Sequence, residues 1–186
     1  MRSLGEARSR IGELHGVRQN QGTQDSGWES PPTGWVKINT DGAFSHLSTG
    51  IGSGGLIRGE HGNFISGFMF KGEGGDSLSA ELWGCLHGLK MTWDLGFRFV
   101  ILESDSAEAV DLINQDNNEA HDDWALIAEI KSLLGWEWNT EVRHIRRGAN
   151  AAADYLAKSS LASFPGFHSL HTADIELDRL IVMDNA

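Results

Sequence analysis

Apolar and polar residues alternate along several short stretches of the chain, and this alternation predicts β-strands. Residues 59–62, which include two glycines, join the second and third stretches and are typical of a hairpin turn. A later run of apolar and β-branched residues is typical of a buried strand. The five predicted strands span residues 35–40, 50–58, 63–71, 99–103 and 138–145.

Apolar residues recur every three or four positions in the intervening stretches, which predicts helices. In the longest helix Leu82, Leu86 and Leu89 share one face, and Gly96 lies where the helix should end. The four predicted helices span residues 79–95, 106–114, 124–134 and 150–161. This order predicts an α/β fold with a five-stranded mixed sheet, in which antiparallel hairpins come first, crossovers follow, and helices cover both faces.

The chain is predicted to contain one folded domain between two flanking segments. Residues 1–33 have few large apolar side chains and many Gly, Ser, Gln and Arg residues, so we expect a disordered leader or linker. The domain is predicted over residues 34–165. Residues 166–186 are expected to form a C-terminal extension that packs partly on it.

Membrane and secretion signals are not predicted, because no run of about 18 apolar residues exists and the first residues lack an apolar segment. The single cysteine, Cys85, fits a reducing compartment and is predicted to be a small buried hydrophobic residue. We therefore expect an intracellular protein, nuclear or cytoplasmic, that is monomeric and has no signal peptide.

The formal net charge is −11, and it lies entirely after residue 34, because the first 34 residues are balanced. This charge argues against tight, nonspecific binding of nucleic acid through a basic surface. It leaves open a protein whose acids hold metal ions. Arg143, Arg146 and Arg147 form the only basic cluster of the predicted domain, and both a phosphate contact and an ordinary solvated surface fit them.

One glycine-rich stretch, residues 50–55, matches the GxGxxG pattern of dinucleotide-binding proteins. That pattern requires a helix directly after the glycines, and here a strand is predicted instead. The glycines therefore favour a strand bend or a close backbone approach.

Four acids stand out by their positions at the ends of predicted elements. Asp41 ends the first strand, Asp105 ends the buried strand, and Glu81 and Asp154 lie in the first turns of the first and last helices. Each also has a structural explanation: a turn for Asp41, a helix dipole for Glu81, a helix cap for Asp105 and a solvated face for Asp154.

Considered together, the four acids favour a metal site. Functional groups in open sheets collect where strands end, and four carboxylates in one place repel each other unless cations bind them. Carboxylate oxygens suit Mg²⁺ or Mn²⁺. Two such ions about 4 Å apart promote phosphodiester hydrolysis by activating water and stabilising the leaving oxygen.

Several short motifs in a fixed order carry a resemblance to a known family. They are Trp28, Pro31-Pro32, Gly34-Trp35, Lys37, Asn39, Asp41-Gly42-Ala43, Ala80-Glu81-Leu82, Glu103-Ser104-Asp105-Ser106, His144 to Asn150, Ala153-Asp154 and Leu156-Ala157. Over about residues 28–180 the chain resembles the ribonuclease H domain. It is most similar to the plant ribonuclease H-like, or reverse-transcriptase-like, domains associated with non-LTR retrotransposons.

The resemblance implies a divalent-metal-dependent endonuclease that cleaves the RNA strand of RNA/DNA hybrids. Asp41, Glu81, Asp105 and Asp154 would hold two Mg²⁺ or Mn²⁺ ions. His144, ten residues before Asp154, matches a family histidine that acts in proton transfer or product release, although a structural hydrogen bond at the strand end also fits it. The residues implied to contact nucleic acid are Gly42, Arg143, Arg146, Arg147 and Asn150.

The chain departs from some members of the family at residues 115–123. Those members carry a basic helix and loop there, whereas this stretch is acidic. We therefore expect weak, salt-sensitive substrate binding and a possible partner domain or protein. Two alternatives stay open: a catalytically weak or inactive retroelement-derived binding module, and another member of the wider fold, such as a resolvase or an exonuclease.

Overall fold

A computed structural model describes residues 27–47, 50–116 and 120–184. The strands are β1 (Val36–Ser45), β2 (Gly50–Arg58), β3 (Phe64–Glu73), β4 (Phe99–Ser104), β5 (Asn139–His144) and β6 (Gly166–Leu170). The α-helices are α1 (Ser77–Asp94), α2 (Ala107–Asn114), α3 (Trp124–Leu134), α4 (Ala151–Ser160) and α5 (Ile175–Asp184), and a short 3₁₀ helix covers Arg147–Ala149.

The strands form one mixed sheet in the order β5-β4-β1-β2-β3-β6. β1 runs antiparallel to β2 and parallel to β4, and β4 runs parallel to β5. One core lies between the sheet and helices α1 to α3, and a second core lies between the sheet and helices α4 and α5. Helices therefore cover both faces, as the order of elements predicted.

The predicted number of strands is wrong, because the described residues form a sheet of six strands and not five. The additional strand, β6, pairs antiparallel with β3 from Gly67↔Leu170 to Lys71↔Gly166. It is five residues long and lies at the edge of the sheet, with alternate side chains exposed. A strand this short has too few residues to show a clear pattern of apolar and polar positions. It forms because β3 has an unpaired edge with which it can hydrogen bond.

The end of the predicted leader is ordered, which corrects part of that expectation. Residues 1–26 lie outside the described part of the chain. Trp28, however, is buried, and its ring lies 3.8 Å from the Arg58 guanidinium. An indole face attracts a cation strongly where water is excluded, and this contact holds residues 27–33 against the sheet.

The glycines of β2 permit close backbone approach rather than a bend. A Cβ atom at Gly54 would lie 2.5 Å from the backbone nitrogen of Ala157 in α4. Helix α4 therefore rests directly on β2, and a larger residue at this position would push the helix away from the sheet. Among the described residues, no helix is long and apolar enough to cross a membrane.

Candidate active site

Three of the four predicted acids meet where the pairing of the central strands β1 and β4 ends. Oxygen atoms of Asp41, Glu81 and Asp105 all lie within 4.8 Å of one another. Asp41 lies inside β1 rather than at its end, because β1 continues to Ser45 alongside β2. Its parallel pairing with β4 ends one residue earlier, at Thr40 and Ser104, so Asp41 and Asp105 emerge side by side where that ladder stops.

Glu81 reaches this point because helix α1 packs tightly against β1. A Cβ atom at Gly42 would lie 2.3 Å from the backbone nitrogen of Glu81, so only glycine permits this approach. Asp76 caps the helix by accepting a hydrogen bond of 2.9 Å from the Ser79 amide. Glu81 is the fifth residue of α1, which corrects its expected place in the first turn.

The charges of this acid cluster (Asp41, Glu81 and Asp105) are largely uncompensated. Burial, followed by repulsion from Asp105, raises the pKa of Asp41 to about 7. Burial, followed by repulsion from Asp41, raises the pKa of Glu81 to about 9. Within the described part of the chain, no lysine or arginine forms an ion pair with these carboxylates. The cluster therefore favours a bound proton or a bound cation.

The cluster opens onto a cavity of about 410 Å³. Its other lining residues are Gly42, Ser77, Leu78, Ser106, Glu108 and Arg147. Ligands of this kind, hard carboxylate oxygens beside an open polar cavity, suit Mg²⁺ or Mn²⁺ together with a phosphate-bearing molecule. The chain's own residues thus fit the divalent cations that the sequence predicted.

Asp154 lies in the first turn of α4, as predicted, but it is not one of the three clustered acids. Its Oδ2 accepts a hydrogen bond of 2.7 Å from Lys158, and its Oδ1 lies 3.8 Å from Arg147. It is still near enough to raise the pKa of Asp41 by repulsion, although this is the smallest of the causes acting there. Asp154 therefore lies at the rim of the cluster.

His144 ends β5 beside Asp105. Its Nε2 lies 3.3 Å from the backbone oxygen of Asp105, and its side chain is exposed. Arg147 lines the cavity, whereas Arg143 hydrogen bonds to Glu141 and Arg146 is exposed nearby. One of the three predicted arginines therefore lies at the cavity itself.

Asn150 is fully buried, and this burial corrects its predicted contact with nucleic acid. Its Nδ2 donates to the backbone oxygen of Thr40 at 3.0 Å and to Oδ1 of Asp105 at 3.1 Å. Both acceptors belong to the strand ends that carry the clustered acids. Asn150 therefore orients Asp105 and stays out of reach of a bound ligand.

Two residues at the site were missed from the sequence. The Ser104 hydroxyl contacts Oε2 of Glu81 at 3.4 Å and accepts a hydrogen bond from the Ser106 amide at 3.1 Å. Glu108 lines the cavity from the first turn of α2. For Ser104 the only available signal was its position directly before Asp105. Glu108 is an ordinary acid near a helix start, and its sequence context does not distinguish it.

Residues 39–160 match the family described as reverse transcriptase-like. Over 172 residues, or 92% of this chain, the sequence is 33% identical to the Arabidopsis thaliana protein named "Putative ribonuclease H protein At1g65750". The chain spans 28% of the length of that relative.

Solved structures show a similar fold at lower identity. Ribonuclease H1 from Halobacterium salinarum has a TM-score of 0.64 and 22% identity, covering 69% of this chain and 98% of that one. LC11-RNase H1, solved in complex with an RNA/DNA hybrid, has a TM-score of 0.57 and 23% identity, covering 68% and 96%. At these identities the similarity is one of fold.

Proposed function

The chain belongs to the reverse transcriptase-like family and has a ribonuclease H-like fold, and from that premise we propose a divalent-metal-dependent endonuclease that hydrolyses the RNA strand of RNA/DNA hybrids. The observation that carries this proposal is the acid cluster, whose oxygens lie within 4.8 Å of one another beside an open cavity. A protein of the same fold, LC11-RNase H1, has been solved with such a hybrid.

Asp41, Glu81 and Asp105 would hold two Mg²⁺ or Mn²⁺ ions, and Asp154 would complete the set from the rim. Cations bound there supply charge that activates water and stabilises the leaving oxygen of a phosphodiester. The raised pKa values of Asp41 and Glu81 support this assignment, because a bound cation offsets the burial and the repulsion that raise them.

Other side chains of the site have proposed roles toward substrate. Arg147 would contact a backbone phosphate from the cavity wall, and the exposed Arg143 and Arg146 would contact phosphates further along the nucleic acid. His144 is exposed beside Asp105 and would carry a proton to or from the departing product. Gly42 lines the cavity with backbone, which permits a ribose to approach closely and its 2′-hydroxyl to be distinguished.

The decisive experiment compares three substrates: labelled RNA/DNA hybrid, duplex DNA and duplex RNA, each with Mg²⁺ or Mn²⁺. We expect cleavage of the RNA strand of the hybrid alone, and its loss in Asp41→Asn. The matched control is Asp178→Asn, which removes an exposed acid from α5 and should leave cleavage unchanged. Cleavage of duplex DNA would instead favour a resolvase or an exonuclease of the same fold.

A second candidate is a weak or inactive binding module derived from a retroelement. The observation that favours it is Asp154, whose carboxylate is already paired with Lys158 and Arg147. The acidic sequence at 115–123 further weakens attraction to a nucleic acid backbone. Hybrid binding without cleavage of any substrate, in either metal, would establish this candidate.

The acidic residues at 115–123 also suggest that a partner domain or protein contributes part of the affinity for the RNA/DNA hybrid. Adding a basic double-stranded-nucleic-acid-binding domain to the chain should lower the KM for hybrid and leave kcat nearly unchanged, because tethering raises the local concentration of substrate. An unchanged KM would show that this chain binds the hybrid without a contribution from a partner.

A further inference from the structure

A second group of charged and polar side chains lies next to the acid cluster, with members on β1, β2, β4 and α5. This buried ion layer consists of Lys37, Asn39, Arg58, Glu103 and Asp184, all of them buried. It contains two cations and two anions around one amide, so its formal charge is zero. The mechanism proposed above uses none of these residues.

Asn39 lies at the centre of the buried ion layer and bridges three strands. Its Oδ1 accepts a hydrogen bond of 2.8 Å from Arg58 on β2, and its Nδ2 donates one of 2.9 Å to Glu103 on β4. The two ends of the amide have different partners, so its orientation is defined. The side chain therefore ties β1 to both of its neighbours.

Ion pairs close the layer on either side of this amide. Lys37 lies 2.6 Å from Oε1 of Glu103, and Arg58 donates to Oδ2 of Asp184 at 3.0 Å. The indole of Trp28 covers the cations, at 3.8 Å from Arg58 and 5.4 Å from Lys37. A segment before the sheet and the last helix of the described chain thus complete the layer.

The layer is coupled to the acid cluster by strand geometry. Side chains two residues apart point to the same face of a strand, so Asn39 and Asp41 share a face of β1. Glu103 lies in β4 two residues before Asp105, which follows the last residue of that strand. Asn39 and Glu103 are also partners in the β1–β4 register, one pair before that ladder ends. A shift of β1 against β4 would therefore move Asp41 relative to Asp105, and the Asn39 bridge opposes such a shift.

We propose that Asn39 is a positioning residue that holds Asp41 and Asp105 at the separation which divalent cations require, through its bridge between Arg58 and Glu103. This inference deepens the proposed function, on which it rests for the role of the cations. Residues that hydrogen bond directly to metal ligands typically change metal affinity by 10- to 100-fold when they are substituted. Asn39 acts one contact further away, through Arg58 and Glu103, so we expect an effect near the lower end of this range.

The test measures Mn²⁺ affinity directly, by electron paramagnetic resonance of free Mn²⁺, in the full chain. Asn39→Leu keeps the approximate size of the side chain and removes both hydrogen bonds. We expect it to weaken Mn²⁺ binding by about tenfold or more. If hybrid is cleaved, kcat should fall and the Mg²⁺ requirement should rise, with little change in the KM for hybrid.

Thr92→Val is the matched control. Thr92 is equally buried and polar, and it bonds to the Gly88 carbonyl on α1 rather than across the strands. Its substitution should leave Mn²⁺ affinity within about twofold of the original value, a margin well below the change expected from a lost ligand-orienting contact. An equal loss in both variants would overturn the proposal, because it would reflect general loosening of the fold.

Asn39→Ser is the second variant, for use if the leucine variant does not fold. A hydroxyl is too short to span from Arg58 to Glu103, so the same loss of affinity is expected. Equal Mn²⁺ affinity in the original chain and in the folded Asn39 variants, including no binding by either, would overturn the inference. If the original chain binds Mn²⁺, and the Asn39 variants bind it more weakly, but the chain does not cleave hybrid, then only the proposed substrate is overturned.

Discussion

The acid cluster and the buried ion layer are neighbours, since Asn39 and Glu103 of the layer precede Asp41 and Asp105 of the cluster by two residues. The two groups differ in how their charges are compensated. In the layer, each anion has a cation within 3.0 Å, and an amide fills the space between the pairs. In the cluster, three carboxylates face one another beside an open cavity. The anions of the layer are each paired with a cation, whereas the carboxylates of the cluster have no cationic partner among the described residues, and a bound cation could supply one.

The largest expected effect comes from breaking the layer. Arg58→Met leaves Asp184 buried without its cation, and loss of one partner of a buried ion pair destabilises a protein by about 3–5 kcal/mol. Urea denaturation measures this loss. The control is Arg98→Met, which removes an arginine that also stacks on an indole, that of Trp93, but is only partly buried.

For Arg98→Met we expect a loss of about 1 kcal/mol, the usual cost of a partly exposed hydrogen-bonded group. The double variant Arg58→Met with Asp184→Leu should recover part of the loss of Arg58→Met, because no buried charge is then left unpaired. Equal losses for Arg58→Met and Arg98→Met would show that the buried pair carries no special weight.

The next largest effect is the stabilisation of the folded protein by Mg²⁺ bound at the acid cluster. Mg²⁺ at a hundred times its dissociation constant should raise the free energy of unfolding by about 2.7 kcal/mol, because it binds the folded state alone. Thermal melts with Mg²⁺ and with EDTA measure the difference. Asp105→Asn should abolish most of it, and an equal response in that variant would place the cations elsewhere.

At Glu81 we expect a smaller change in stability, and in the opposite direction: substitution of Glu81 should stabilise the metal-free protein, whereas Arg58→Met destabilises it. Its pKa is raised in the folded state, from 4.5 to about 9, so the folded protein keeps a proton that the unfolded chain has lost across this range. Stability without metal should therefore fall as the pH rises through that window. Glu81→Gln should flatten this dependence and, at pH 8 in EDTA, stabilise the protein by at least roughly 1 kcal/mol, the free energy of about one pKa unit.

Denaturation curves of both proteins between pH 5 and pH 9, in EDTA, check this prediction. Destabilisation by Glu81→Gln at pH 8 would mean that the carboxylates of the cluster do not repel one another in the folded state. The contrast between the acid cluster and the buried ion layer would then fail, because charged groups would stabilise the folded protein in both places.

The smallest effect is expected at the rim. Lys158 lies four residues after Asp154 on α4 and is mostly exposed, so Lys158→Gln should cost at most about 0.5 kcal/mol, as is typical of such helix pairs. The same melts measure it. A loss well above 1 kcal/mol would place Asp154 among the structural ion pairs rather than among the ligands available to a cation.

Much of the architecture could be predicted from local patterns. Two short stretches on either side of a glycine-containing turn located β2 and β3, and the regular spacing of apolar residues located α1 and α3. β6 could not be predicted this way. It is short and half exposed, and its pairing depends on the edge of β3, about a hundred residues earlier in the chain.

The candidate site shows the same division. Asp41, Glu81 and Asp105 could be named from motif order, and the structure brings these three together. The position of Asp154 outside the cluster and the burial of Asn150 depend on where α4 lies against the sheet, which the spacing of residues does not specify. The pair of Asp154 with Lys158, by contrast, joins residues four apart on one helix.

The sequence by itself determined the order of the elements, the family and the acids to consider, because these follow from local periodicity and from residue types at set spacings. Only the tertiary structure decided which charges are satisfied. Whether a carboxylate stabilises or strains the fold depends on its distance to other charges and on its exclusion from water. Those distances arise where β1, β2 and β4 meet, among residues that lie far apart along the chain.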